Sequence, residues 1–232
     1  MNGGSVMSRL PIPGLREKII SAAQEAFADK GYRGTPVREI ARMVGVTVGV
    51  LYLYFKNKEE LYLEALREGM RFYKKGIREI ECDDSEEAIR RYIKNHLEYS
   101  SVRKQSISLQ FKDYDLEFAR PFRIDFFVYQ KKFLTGIINK GVKQGIFRVA
   151  DCGDAALFIL YILKGAIFNG LAGTVNLAAS KDTLCNLVLS FLKQSTASGK
   201  TDAACHKQNH SVLSRQEIKS SLHKRNAGDL KE

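Results

Sequence analysis

Residues 40–54, IARMVGVTVGVLYLY, constrain this chain more than any other stretch. Small and apolar residues fall there where two short helices crossing at a tight turn require them. Ala41 lets one helix approach the next closely, Gly45 supplies the positive φ of the turn, and Val46 plugs the corner. Ile40, Val44, Leu51 and Tyr54 are then expected to pack the two helices together. That leaves Val48, Gly49, Tyr52 and Leu53 on the outward face of the second, a presentation that fits the major groove of B-DNA. Packed helical hairpins in proteins that bind no nucleic acid share this spacing, so the surrounding sequence decides.

Along the rest of the chain, apolar positions recur at intervals of three and four, and no strand-like alternation persists, which predicts an all-α fold. Leu15, Ile19, Ala23, Ala26 and Phe27 form the stripe of a first helix that stops at Gly31. Thr35 is placed to cap a second helix with Pro36 in its first turn, Thr47 a third running to Phe55, and Asn57 a fourth reaching about Ile80. Five further helices are expected near 88–100, 102–113, 121–145, 151–172 and 181–194. From Ser195 the chain turns polar and lacks the apolar mass to offset ordering entropy. His206 and His210 in that tail have i, i+4 spacing but are expected to be plain solvated residues.

The flanks of the hairpin make the reading specific. REKIISAAQEAFADKGY at 16–32, then Thr35-Pro36-Val37-Arg38-Glu39-Ile40-Ala41, Gly45-Val46, Gly49, Leu51-Tyr52, Tyr54-Phe55 and Lys58-Glu59-Glu60-Leu61 resemble the TetR/AcrR family signature. The match covers roughly residues 14–66; beyond it the likeness is one of helical layout, including the Gly145-Ile146-Phe147 turn. The resemblance implies that Thr47 caps the recognition helix and touches a phosphate, that Tyr52 reaches bases or backbone, and that Tyr54, Lys58 and Arg38 hold phosphates. Val48, Val50 and Lys56 complete the expected DNA-contact set. Positions 48, 50 and 53 often carry polar residues in relatives, whereas Val48, Val50 and Leu53 stand here. Methyl contact with thymine and DNA shape are therefore expected to share the readout with Tyr52.

The body is rich in aromatic rings, most of which must be core. The resemblance places an effector cavity between its helices, with Phe111, Tyr114, Phe122, Phe126, Phe168 and Asn169 as candidate contacts for an apolar or aromatic ligand. Lys164 and Asn169, polar residues in an apolar helix, mark the polar end of such a cavity or face solvent or a partner subunit. Gly165, with Leu184, Leu187, Val188 and Phe191, suggests a two-helix face that pairs with its copy in a homodimer.

Charge and composition add little. The net charge of +11 is spread over the whole chain, which fits a polyanionic partner and equally fits solvated surface. The four cysteines show no metal-ligand spacing, and no nucleophile elbow, phosphate loop or metalloprotease motif occurs. Neither catalytic nor metal residues are assigned, no cofactor is expected, and His96 reads as a surface helix residue. The apolar run at 155–163 is too short for a membrane span, and the N-terminus lacks a signal peptide, so a cytoplasmic location is expected.

The expected organisation is an N-terminal extension (1–13), a three-helix helix-turn-helix DNA-binding domain (14–62), a helical ligand-binding and dimerisation domain (63–195), and a disordered tail (196–232). The expected function is an effector-responsive regulator, a repressor in its simplest form, binding a double-stranded DNA operator as a dimer. The alternative is an architectural or accessory DNA binder without a small-molecule effector.

Overall fold

A computed structural model describes residues 12–80 and 82–194, all within one compact unit. The extension up to residue 11 and the tail from residue 196, with His206 and His210, lie outside the described residues. Every regular element among the described residues is helical: α1 (Leu15–Gly34), α2 (Val37–Met43), α3 (Val48–Leu51), α4 (Lys58–Arg78), α5 (Ser85–Val102), α6 (Lys104–Phe111), α7 (Arg120–Lys143), α8 (Cys152–Leu171) and α9 (Leu177–Lys193), with a 3-10 turn (Glu117–Ala119) before α7.

Short polar side chains fix where several helices begin. Asn57, Asp84, Asp151 and Asn176 each accept a backbone N–H two or three residues ahead, satisfying donors that a helix start leaves free. The Asn176 cap moves the start of α9 to Leu177, ahead of the position 181 expected from periodicity. Thr35 departs further from expectation. It caps nothing: its fully buried hydroxyl turns back to the Ala26 and Gly31 carbonyls at 3.0 and 2.8 Å, and α2 starts after an extended Pro36. The reason lies at Gly31, whose non-helical backbone (φ 73°, ψ 174°) breaks the ladder of α1 and frees carbonyls inside the core.

Two hydrophobic clusters organise the chain. The first joins α1, α2, α3 and the start of α4 through Ile19, Phe27, Ile40, Leu51, Phe55 and Tyr62, and it recruits Leu109, Leu116 and Ala119 from beyond α5. The second gathers the end of α4 with α5, α7, α8 and α9 around Tyr73, Ile89, Ile93, Leu134, Leu163 and Leu189. α4 is common to both, since Leu61, Tyr62, Ala65 and Leu66 lie in one and Tyr73 and Ile77 in the other. The first cluster with its helices is called the head below, and the second the body.

At the joint between them the loop after α6 reaches back to α1. Asp113 holds a left-handed backbone (φ 52°) and its carboxylate accepts the Tyr32 N–H at 2.6 Å, while Arg33 pairs with Asp115 at 2.7 Å. The close of α7 depends on Gly141, where an added Cβ would fall 2.1 Å from the buried Phe147 ring.

His96 is a second correction. The stripe Ile89, Tyr92, Ile93, His96 and Leu97 faces the body's core, so the imidazole is buried and not on the surface. Its Nδ1 shares a 2.8 Å hydrogen bond with the Tyr73 hydroxyl, which lies 3.3 Å from that of Tyr92. Burial, aided by the charge of Lys164, pushes the His96 pKa down to about 4.

The apolar segment of 155–163 extends into a 20-residue helix, α8, long and apolar enough by length and composition to cross a membrane. It packs on α5, α6, α7 and α9 with Ala156, Ile159, Leu160 and Leu163 fully buried, and leaves Phe158, Tyr161 and Phe168 more than half exposed.

Candidate nucleic-acid interface

The sharp corner between α2 and α3 follows from its backbone. Gly45 takes φ 72°, which a side chain would oppose, and lets the Val46 N–H reach the Ala41 carbonyl at 2.9 Å. Thr47 then caps α3 by accepting the Val50 N–H at 3.3 Å. α3 is shorter than the expected 47–55 helix. After Leu51 the bonds tighten, with Leu53 N–H reaching Val50 O and Tyr54 N–H reaching Leu51 O, so the chain continues as a turn and drops Phe55 into the core.

This geometry sorts the expected DNA-contact residues. Arg38, Thr47, Tyr52 and Lys56 are exposed, Tyr52 at 45% and its neighbour Leu53 at 67%. Val48 and Val50 are half-buried and pack on the head's core, so Val48 does not stand fully outward. Tyr54 divides itself: its ring packs on the core while its hydroxyl accepts the Ile12 N–H at 2.7 Å. Lys58 lies with its ammonium 4.5 Å over the Tyr32 ring, and burial lowers its pKa while Asp113 opposes the shift. Phosphate anchoring by Lys58 therefore asks its side chain to leave that ring.

Three exposed cations of this segment stand without a carboxylate partner among the described residues. Lys30 and Arg33 are held by Glu39 and Asp115, whereas Arg38, Arg42 and Lys56 have no carboxylate within 4.0 Å among the described residues. Arg42 is absent from the sequence-derived set. Its i, i+4 relation to Arg38 on α2, with Ile40 and Ala41 turned inward, could have found it.

The expected effector contacts do not converge. Phe122 packs in the head's cluster and Phe126 is buried in the body's, 5.2 Å from Tyr73, because both rings fill core. Tyr114 is 68% exposed beneath Arg123, and Asn169 is exposed, its amide donating to the Gly165 carbonyl. Only Phe111 and Phe168 meet, with ring centroids 6.0 Å apart. Of the dimerisation set, Gly165, Leu187 and Phe191 are exposed, while Val188 is buried and Leu184 packs on the body's core. Val188 is thus unavailable to a partner, since i, i+4 spacing from Leu184 turns it under the helix.

Residues 19–65 match the family model described as bacterial regulatory proteins, tetR family. The helix-turn-helix segment of this chain is thus of the tetR-family type. Among its curated relatives, the fatty acid metabolism regulator protein of Bacillus subtilis is 45% identical over 53 residues, 23% of this chain and 27% of that protein. The transcriptional activator FasR of Mycolicibacterium smegmatis is 39% identical over 72 residues, 31% and 33% of the two chains. These matches span a third or less of the relatives' length. The fold likeness runs further: FadR of Bacillus halodurans superposes with a TM-score of 0.69 at 24% identity, over 78% of this chain and 97% of that one. FadR of Bacillus subtilis in complex with stearoyl-CoA gives 0.68 at 25% identity, over 75% and 97%. The likeness of fold therefore extends over about three quarters of this chain and is not confined to the helix-turn-helix.

Proposed function

We propose that this chain is a DNA-binding transcription regulator that works as a two-fold dimer, a repressor whose operator binding is relieved by a small, largely apolar effector held in the body. The observation that carries the DNA-binding reading is the exposed Tyr52–Leu53 edge of the helix-turn-helix, together with the exposed cations Arg38 and Arg42 of α2 and Lys56 after α3, none with a carboxylate within 4.0 Å among the described residues. Cations held free of carboxylates keep their full attraction for phosphate, and the helix-turn-helix offers Tyr52 to base edges.

The dimer reading is supported by the exposed side of α8 and α9, where Phe158, Tyr161, Phe168, Leu187 and Phe191 form an apolar row and Gly165 admits close approach. Phe158 and Phe191 already touch, their centroids 5.3 Å apart, so the two helices present one surface. Two copies joined there would form a four-helix bundle and carry two heads to successive major grooves, roughly 34 Å apart. The effector reading is supported by the relative determined with stearoyl-CoA, a ligand with a long apolar chain.

The test is a gel shift with DNA from upstream of the chain's own gene, at several salt concentrations. Arg38→Ala and Lys56→Ala are expected to weaken all sequences alike and each to flatten the salt slope by about one. Tyr52→Ala changes sequence preference. Wild-type protein that ignores DNA at low salt would refute the reading. Leu187→Glu is expected to yield a monomer by light scattering; a dimer indifferent to it places the interface elsewhere.

A further inference from the structure

Lys164 differs from the carboxylate-paired lysines of the body. Lys94, Lys140, Lys181 and Lys193 each have a carboxylate partner within 4.0 Å. Lys164 has none among the described residues, although it is half-buried on the most apolar of the described helices, directly after the fully buried Leu163. Its ammonium lies 4.5 Å over the Phe127 ring, and Phe127 in turn stacks on Tyr161. A cation in such a place loses hydration and recovers only part of it from a ring face. Burial accordingly lowers the Lys164 pKa, and its charge reaches the buried His96.

The surroundings are equally unusual for a core. Tyr73, Tyr92, His96 and Gln130 bring four polar side chains from α4, α5 and α7 into the interior that α8 covers. His96 is neutral near pH 7, so it neither repels a cation strongly nor supplies the missing counter-charge. A half-buried ammonium without a carboxylate partner on so apolar a helix is not kept for stability, since an apolar residue of the same length would do better.

We propose that Lys164 is the charge-pairing group of the body's effector site, and that the effector is an amphipathic organic anion whose anionic group sits at the Lys164 ammonium. Its apolar portion then lies along the rings of Phe127 and Phe111, both half-buried against the body's core. Phe127 positions the ammonium. This proposal rests on the reading that the body holds an effector, and it adds the sign of that effector's charge.

The experiment measures binding of dodecanoate and dodecanol, equal in chain length and different in charge, by displacement of a fluorescent anilinonaphthalene sulfonate. The full chain is used; it contains no tryptophan to interfere. Wild type is expected to hold dodecanoate at least about tenfold more tightly than dodecanol, the equivalent of one well-placed charge-assisted contact. Lys164→Met is expected to abolish that preference while leaving dodecanol affinity unchanged, and Lys164→Arg to retain it. Lys164→Met should also melt at a temperature equal to or above wild type, which separates loss of a ligand contact from loss of the fold. A preference for dodecanoate that survives Lys164→Met overturns the proposal, as does equal affinity of wild type for both probes; in either case the effector reading itself still stands. If neither probe binds, the effector reading falls and the proposal with it.

Discussion

His96 ties the stability of the body to pH in a calculable way. The folded protein keeps the imidazole neutral, its pKa pushed down to about 4 first by burial and then by the Lys164 charge, whereas in the unfolded chain it titrates near 6.5. Between those values the unfolded chain binds a proton that the folded chain refuses, so unfolding is favoured progressively as pH falls. At about 1.4 kcal/mol per pH unit over roughly 2.5 units, the full loss is about 3 kcal/mol, absent above pH 7 and complete by about pH 4. Burial raises the pKa values of Tyr73 on α4 and Tyr92 on α5, so both stay neutral throughout this window and His96 titrates in their place. The assay is urea unfolding followed by far-ultraviolet circular dichroism, comparing wild type with His96→Gln at about pH 7, 6 and 5. The variant loses the Tyr73 contact and starts about 1–2 kcal/mol less stable. Carboxylates titrate in both proteins and cancel in the difference, which should narrow by about 2 kcal/mol between pH 7 and pH 5. Parallel stability curves would refute the burial argument.

Three substitutions test other joints of the fold. Thr35→Val keeps the shape of a fully buried side chain but strands the Ala26 and Gly31 carbonyls, and is expected to cost about 1–2 kcal/mol, read as a melting-temperature drop of several degrees. Gly141→Ala forces the buried Phe147 ring aside at a cost of about 1–3 kcal/mol, and the added Phe147→Leu change should return part of it; a neutral Gly141→Ala contradicts the 2.1 Å approach. Asp113→Ala loses the acceptor for Tyr32 N–H and puts alanine at φ 52°, so it should destabilise by about 1–2 kcal/mol, whereas Asp113→Asn, which tolerates that backbone and keeps an oxygen, stays within about 0.5 kcal/mol.

What the sequence makes legible here is whatever is decided within a few residues. Gly45 needs its positive φ because of the chain on either side of it, Thr47 and Asn57 find the amides they cap three positions ahead, and the corner residue Val46 bonds back to Ala41. Each of these reads directly, and so does the family signature built from them. The misreadings share another cause, which is that a partner distant in sequence settles the outcome. Thr35 has the form of a cap, and only the break at Gly31 and the fold of α1 over it give its hydroxyl a better bond inside the core. His96 looks like a solvated residue beside Asn95 and Glu98, although its four-residue spacing from Tyr92 already turned it inward; the decisive partner, Tyr73, lies 23 positions away. The effector candidates fail for the same reason. Rings counted along the chain cannot reveal that Phe122 belongs to the head's core and Phe126 to the body's, because the clusters divide across α7 and not along it. An isolated charge is a better guide than a list of rings in such a body. Rings are what any core contains, while a half-buried ammonium without a carboxylate partner, as at Lys164, is what so apolar a helix excludes unless something else requires it.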